Sequence, residues 1–328
     1  MSKRLLLALA LAVVFAARPA EARIVLKLAH YAETNHPAQA AALQFAKRVE
    51  ERTKGEIKVE VYPANQLGSP PEQLQQVKLG TIDMALPTHG QMDKYEKAFA
   101  AVVLPFVFDD LAHAHRTLDG PAAKWLAPLA EKQGFILLSN WEWGFRNITN
   151  SKHPINVPDD VKGLKIRVPP EMQLEAAMEA LGAQATKIAF PELYMSLSQG
   201  VVDGEENPIS VIASNKLYEV QKYLALDRHA YNSMIHVFNA KKWATLTPEQ
   251  QKIIREESQS AGELMRKTMA SQEAAQIEQL KAAKMQITTP NPAAFRAKMG
   301  PAYKKIEAYA GAQNVKTFLD MVNKERKK

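Results

Sequence analysis

The sequence predicts an α/β protein of two lobes braced by one long helix. Three observations carry this. Residues 24–86 read as strand, helix, strand, helix, strand, the βαβ order of a mainly parallel sheet. A second α/β run starts near Phe135 and continues to Phe238. From Pro248 to about Lys284 good helix formers dominate, after a Thr247 N-cap with Pro248 at the first helical position.

The elements follow in order. Ile24 to His30 is strand-like. Thr34 or Asn35 can cap the next helix, Pro37 suits its first turn and Gly55 stops it. Inside it, Ala42, Phe45, Ala46 and Val49 fall on one face at helical spacing. Glu56 to Tyr62 alternates, with Ile57, Val59 and Val61 on the buried side. Pro70 to Leu79 is a helix closed by Gly80, and Ile82 to Leu86 a buried strand.

Further on, Phe135 to Leu138 is a strand, and Trp141 to Asn150 is rich in aromatic and polar residues. Leu164 to Val168 is a strand, and Pro169-Pro170 opens a helix through about Leu181. Pro191 to Gln199 reads as helix, with Tyr223 to Leu226 and Ser233 to Phe238 as strands. The apolar residues of the long helix keep no heptad seam, so it spans both lobes rather than forming a coiled coil. Pro290 and Pro292 break it, and a last helix runs from about Pro301 to Val322.

The N-terminus is a targeting signal. Lys3 and Arg4 precede an apolar run from Leu5 to Ala17, and Ala20-Glu21-Ala22 offers a small-x-small cleavage site. The run is too short for a membrane span, which needs roughly 20 residues. A signal peptide over 1–22, cleaved near Ala22, and an exported mature chain are expected. The lobes are expected at 23–145 plus 234–272 and at 146–233 plus 273–328.

Composition excludes several chemistries. The chain has no cysteine, so disulfides, thiolate nucleophiles and Cys metal sites are absent. Its net charge of +7 is spread out, with no block of like charge, which argues against nucleic acid as a partner. No phosphate-cradling glycine loop, nucleophile elbow or H-E-x-x-H motif occurs. His113 and His115 are two apart, face opposite sides of a helix, and read as surface residues rather than a metal pair. Asp203, Glu205 and Glu206, beside Gly204 and Pro208, read as a turn rather than as opposed catalytic carboxylates. No enzyme, cofactor or metal is expected.

Two stretches carry binding chemistry. Arg167 lies between Ile166 and Val168 on an apolar strand, so its side chain points to the face opposite theirs. That strand ends at Pro169-Pro170, which puts Arg167 near the C-terminal edge, where open α/β sheets bind ligands. A guanidinium there either takes a ligand carboxylate bidentately or forms a structural salt bridge to Asp159, Asp160 or Glu171. Asn207 is either an amide donor to a carboxylate or a turn residue before Pro208. Trp141, Trp143, Phe190 and Tyr31 either line a pocket or fill the core, and on a strand Trp141 and Trp143 share a face.

Taken together the chain resembles the extracytoplasmic binding subunit of tripartite ATP-independent periplasmic (TRAP) transporters, the dicarboxylate-binding family. The resemblance covers essentially the whole mature chain. It rests on Leu26-Lys27-Leu28-Ala29, Asn65-Gln66-Leu67-Gly68, Gly80-Thr81-Ile82-Asp83-Met84, Leu104-Pro105-Phe106, Gly163 to Pro169, and Gln199 to Pro208.

It implies a two-lobed periplasmic binding protein fold of type II, with mixed sheets flanked by helices, closing around a small organic acid. C4-dicarboxylates and sugar acids lead the expected ligands. The family's invariant arginine falls on Arg167, a second and less uniform one on Arg146, and its D-G-x-E asparagine on Asn207. Its pocket aromatic falls on Phe190, with first-lobe contacts near Tyr31 and Thr88. Sialate binders carry Asn and Glu at those last two places, which speaks against sialate here. The implied partners are the membrane subunits of a TRAP transporter. A monomer is expected, with a homodimer through the long helix as the alternative. A periplasmic sensor subunit is the rival reading, and a secreted hydrolase or lyase the more distant one.

Overall fold

The computed structural model describes residues 23–327; the expected signal peptide lies outside the described residues. The first unit is β1 (Ile24–Ala29), α1 (Pro37–Arg52), β2 (Ile57–Tyr62), α2 (Pro70–Leu79) and β3 (Met84–Ala85). β1 pairs in parallel with both β2 and β3. The cap of α1 is His36, whose Nδ1 accepts from the Ala38 N–H, so neither Thr34 nor Asn35 does that work. At α2 the Ser69 N–H donates to Glu72 Oε2 at 2.7 Å, and Gly80 ends the helix at φ +82°.

Two short helices, α3 (Leu111–Thr117) and α4 (Ala123–Lys132), lead into β4 (Phe135–Asn150). β4 is one strand, much longer than the Phe135–Leu138 segment its alternation suggests. Its partner β8 (Tyr223–Asn239) likewise joins the two segments expected at 223–226 and 233–238. Three register shifts, at Leu137/Ser139, Glu142/Gly144 and Arg146/Ile148, interrupt their ladder. The first two insert one unpaired residue in β4, the third leaves Asn147 against residues 226–229 of β8, and all break the period-2 pattern. Gly144 sits at one shift with φ +114°, a conformation other residues rarely adopt.

Between those strands in sequence lie β5 (Lys165–Val168), α5 (Met172–Ala180), β6 (Gln184–Lys187), α6 (Leu193–Ser198), β7 (Gly204–Asn207) and α7 (Ile209–Ser214). The sheet runs β2-β1-β3-β8-β4-β7-β5-β6. β8 and β4 are thus the shared central strands, with parallel βα units on either side. The Asp203–Glu206 cluster is not a turn. Glu205 and Glu206 belong to β7, buried between β4 and β5, while Asp203 sits half-buried in the bend before it.

After α8 (Ala240–Trp243) comes the long helix α9 (Pro248–Ala282), 35 residues, with the Thr247 Oγ1 accepting from the Gln250 N–H at 3.2 Å. At about 1.5 Å per residue it is roughly 50 Å long. It lies on α1 through Glu257, which receives Arg48 and Arg52, and on β4 through Gly262. A Cβ at Gly262 would come 2.7 Å from the Asn140 carbonyl oxygen. Only a residue without a side chain lets the helix approach that strand so closely.

The chain closes with β9 (Gln286–Thr288) beside β8, then α10 (Pro292–Arg296), α11 (Gly300–Ala310) and α12 (Ala312–Arg326). The single last helix expected over 301–322 is split in two by Gly311 at φ +92°. Among the described residues no helix is long and apolar enough to cross a membrane.

Candidate ligand-binding site

β5 delivers Arg167 as the alternation demands. Ile166 and Val168 are buried in the apolar core, and Arg167 pairs in register with Glu205 on β7 and Thr186 on β6. Its guanidinium is fully buried. Nε donates to the Ile188 carbonyl oxygen at 2.9 Å, but Nη1 and Nη2 have no protein acceptor among the described residues. None of the three carboxylates that could have formed a structural salt bridge does so. Asp159 meets Lys298, Asp160 caps the 156–157 backbone, and Glu171 accepts from Thr88. Burial pulls the Arg167 pKa down to about 10, against the attraction of Glu205 and Glu206. It is still a full cation at neutral pH.

Arg146, at the β4 register shift, is its opposite. Its Nε and Nη2 both bind the Glu206 carboxylate, Nη2 also reaches the Glu206 carbonyl at 2.5 Å, and Nη2 donates to Asn207 Oδ1 at 3.1 Å. His229 Nε2 lies 3.0 Å from Glu206 and its Nδ1 2.8 Å from Asp227. Burial opposes charge on His229, but Asp227 and Glu206 outweigh it and raise its pKa to about 9. Burial also opposes ionisation of Glu206, yet Arg146 and His229 hold it below the usual carboxylate range. Glu205 has no such cation in contact. Burial and the neighbouring Glu206 push it up to about 7, while it accepts from Asn207 Nδ2 at 2.5 Å and Thr149 Oγ1 at 3.0 Å.

Arg146, Arg167 and Asn207 meet at a tight cleft of about 20 Å³. Its lining includes Arg146, Arg167, Asn207, Ala189, Phe190, Tyr31, Thr88, Gln91 and Trp143. Pro70, Pro71, Pro169, Pro170 and Glu171 complete it. The Tyr31 ring contacts Trp143 at 4.8 Å and Phe190 at 5.3 Å between centroids.

Of the eight residues singled out from sequence, seven line this cleft: Arg167, Arg146, Asn207, Phe190, Tyr31, Thr88 and Trp143. Trp141 does not. It packs on His236 at 5.3 Å, and its Nε1 donates to the Ser258 carbonyl on α9. Both tryptophans belong to one apolar cluster, as a shared strand face requires, but only Trp143 reaches the cleft.

Sequence reasoning did not place Glu171 and Gln91 at this cleft. Glu171 was visible only as a salt-bridge partner, and nothing local distinguished Gln91. His113 is also corrected. It is buried, with Nε2 2.8 Å from the Val322 carbonyl, while His115 is half-buried against Glu142 at 2.6 Å. Among the described residues no cluster could hold a metal ion. A wider groove of about 240 Å³ between β4 and α9 contains none of Arg146, Arg167 or Asn207.

Two α/β halves sharing central strands, with a buried guanidinium at their cleft, define a solute-binding protein of the two-lobed class. The chain belongs to the bacterial extracellular solute-binding protein family 7, whose model matches residues 28–309. It is 37% identical over 249 residues to the 2,3-diketo-L-gulonate-binding periplasmic protein of Escherichia coli, covering 76% of each chain.

Among solved structures it resembles a TRAP periplasmic solute-binding protein of Sulfitobacter sp. NAS-14.1 with bound β-D-galacturonate. That match has 32% identity and a TM-score of 0.87, covering 93% of this chain and 100% of that one. A TRAP solute-binding protein of Sulfurospirillum deleyianum with bound succinate matches at 31% identity and TM-score 0.84, covering 93% and 99%.

Proposed function

We propose that this protein is a periplasmic solute-binding protein that captures a small organic acid, a sugar acid or C4-dicarboxylate, for the membrane subunits of a TRAP-type transporter. The observation that carries the reading is the Arg167 guanidinium, buried with two nitrogens lacking protein acceptors. A buried charge without a partner is costly, and a carboxylate supplies the two parallel acceptors that those nitrogens require.

Arg146 and Asn207 add positive potential and a second amide hydrogen. Phe190, Tyr31 and Trp143 give the cleft apolar surface, and Thr88 lines it with its hydroxyl on Glu171. Such proteins close by bending about strands shared between lobes, and β4 and β8, with their register shifts, supply that hinge. The proposed lobes are 23–145 plus 234–272 and 146–233 plus 273–328. The signal-like N-terminus and relatives named as periplasmic support the location. The protein acts by binding and release, not turnover.

The test is a thermal-shift screen of the mature protein against uronates, aldonates, C4-dicarboxylates and keto acids. A ligand at a hundredfold excess over its dissociation constant adds about 2.7 kcal/mol of stability. One acid class is expected to raise Tm, and Arg167→Ala to abolish the rise. Stabilisation by neutral sugars or amines but by no acid would overturn the reading.

A further inference from the structure

The cleft also carries a carboxylate that the capture of an acid does not call for. Glu171 is fully buried and lies just past Arg167, at the N-cap of α5. Its Oε1 accepts from Thr88 Oγ1 at 2.7 Å and its Oε2 from Asn232 Nδ2 at 3.3 Å. Gly90 makes room for it: a Cβ there would stand 2.0 Å from Oε2. Among the described residues no Lys or Arg lies within salt-bridge distance of it, Arg146 acting only through space. Burial raises its pKa to about 7, as expected of a carboxyl held without a cation. Each of its oxygens retains a lone pair beyond those two bonds.

The neighbours of Glu171 define what fits there. Thr88 gives its hydrogen to Glu171, so its oxygen can only accept further. Gln91 Oε1 accepts from the Thr88 N–H at 3.1 Å, leaving its NH2 as the donor end in the cleft. This wall both accepts and donates. A hydroxyl does both as well, whereas a carboxylate only accepts and an ammonium only donates. A second carboxylate would also meet Glu171 as a like charge.

We propose that Glu171 is a specificity-determining residue that selects acids bearing hydroxyl groups, such as aldonates and uronates, over unsubstituted C4-dicarboxylates. This rests on the reading of Arg167 as the carboxylate anchor. The ligand carboxylate takes Arg167, and a hydroxyl further along the chain donates to Glu171.

The experiment is calorimetric titration of the mature protein at about pH 8, where Glu171 is ionised, with a panel of four- to six-carbon aldonates and uronates, succinate and 4-aminobutyrate. In the wild type the best hydroxy acid is expected to bind at least tenfold tighter than succinate. Glu171→Gln keeps the size, removes the charge and turns one of the two accepting oxygens into a donor. It is expected to weaken the hydroxy acid about 10- to 100-fold and to leave succinate unchanged or tighter.

Succinate preferred in the wild type, or an unchanged ratio in Glu171→Gln, would overturn the assignment while leaving an Arg167-dependent acid binder intact. Tighter binding of 4-aminobutyrate than of any hydroxy acid would overturn the hydroxyl selection. Binding of no acid at all would overturn both readings. Succinate preferred by the wild type would overturn the assignment even if the variant does not fold.

Discussion

Arg146 and Arg167 are both buried arginines beside the same strand β7, yet one is held through Nε and Nη2 by a carboxylate and the other is left open. Arg146 has Glu206, the Glu206 carbonyl and Asn207, with His229 and Asp227 behind them. Arg167 has one backbone carbonyl. A cation whose partners are all internal stabilises the chain that supplies them. A cation whose partner is missing stabilises whatever ligand brings one. The sequence resemblance treats both as ligand arginines, and both line the cleft; Arg146 is also a strut, while Arg167 keeps two nitrogens without protein acceptors among the described residues.

The largest effect should come from cutting the strut. Arg146→Ala leaves Glu206 buried without its main counter-ion and should cost about 3–5 kcal/mol of folding stability. Denaturant unfolding of the ligand-free protein would read it. A shift below about 1 kcal/mol would erase the contrast between the two arginines. Arg167→Ala should do the reverse: about 2–5 kcal/mol lost from acid binding, with a ligand-free Tm close to wild type. Calorimetry and melting on the same preparation test both halves at once. A ligand-free protein that falls apart would make Arg167 a second strut.

A pH series sharpens the comparison. His229 is raised from 6.5 to about 9, so its contribution is whole below about pH 6.5 and is lost as pH climbs through about 9. Glu205 is raised from 4.5 to about 7, so its ionisation over that interval also costs stability. The ligand-free Tm should therefore fall from about pH 6 to about pH 9. His229→Asn should flatten the upper part of that fall, and a slope identical to wild type would remove His229 from the account.

The smallest effect is at the edge of the network. Thr149→Val removes the hydroxyl that donates to Glu205 and should cost about 1 kcal/mol of stability, measured by denaturant titration, with little change in acid affinity. A large loss of affinity would place Glu205 in the binding machinery instead.

Where local chemistry decides structure, the sequence was legible. Thr247 with Pro248 marked the start of α9, Gly80 the end of α2, and the Ile166-Arg167-Val168 alternation the exposure of a cation to a cleft. Where partners from elsewhere decide it, the reading failed. Gly204-Glu205-Glu206-Asn207 looks like a turn because polar residues beside Gly and Pro favour one. It is a buried strand because Arg146, Thr149 and His229 satisfy those carboxylates. The long β4 and β8 were missed because their register shifts hide the period of two. Glu171 stayed invisible as a cleft residue because Thr88 and Gly90, which hold it, are some 80 positions away.

Gly262 gives α9 a fulcrum. The helix touches strand backbone at that point, with Asn140 and Trp141 beneath it and long arms on both sides. A single methyl group there acts as a wedge at the pivot of a rigid rod, so sub-ångström crowding becomes a larger swing at the ends. One end rests on α1 through Glu257, and the other runs past α7 towards β9. Gly262→Ala would therefore reset the angle between the two halves without touching a single residue of the cleft.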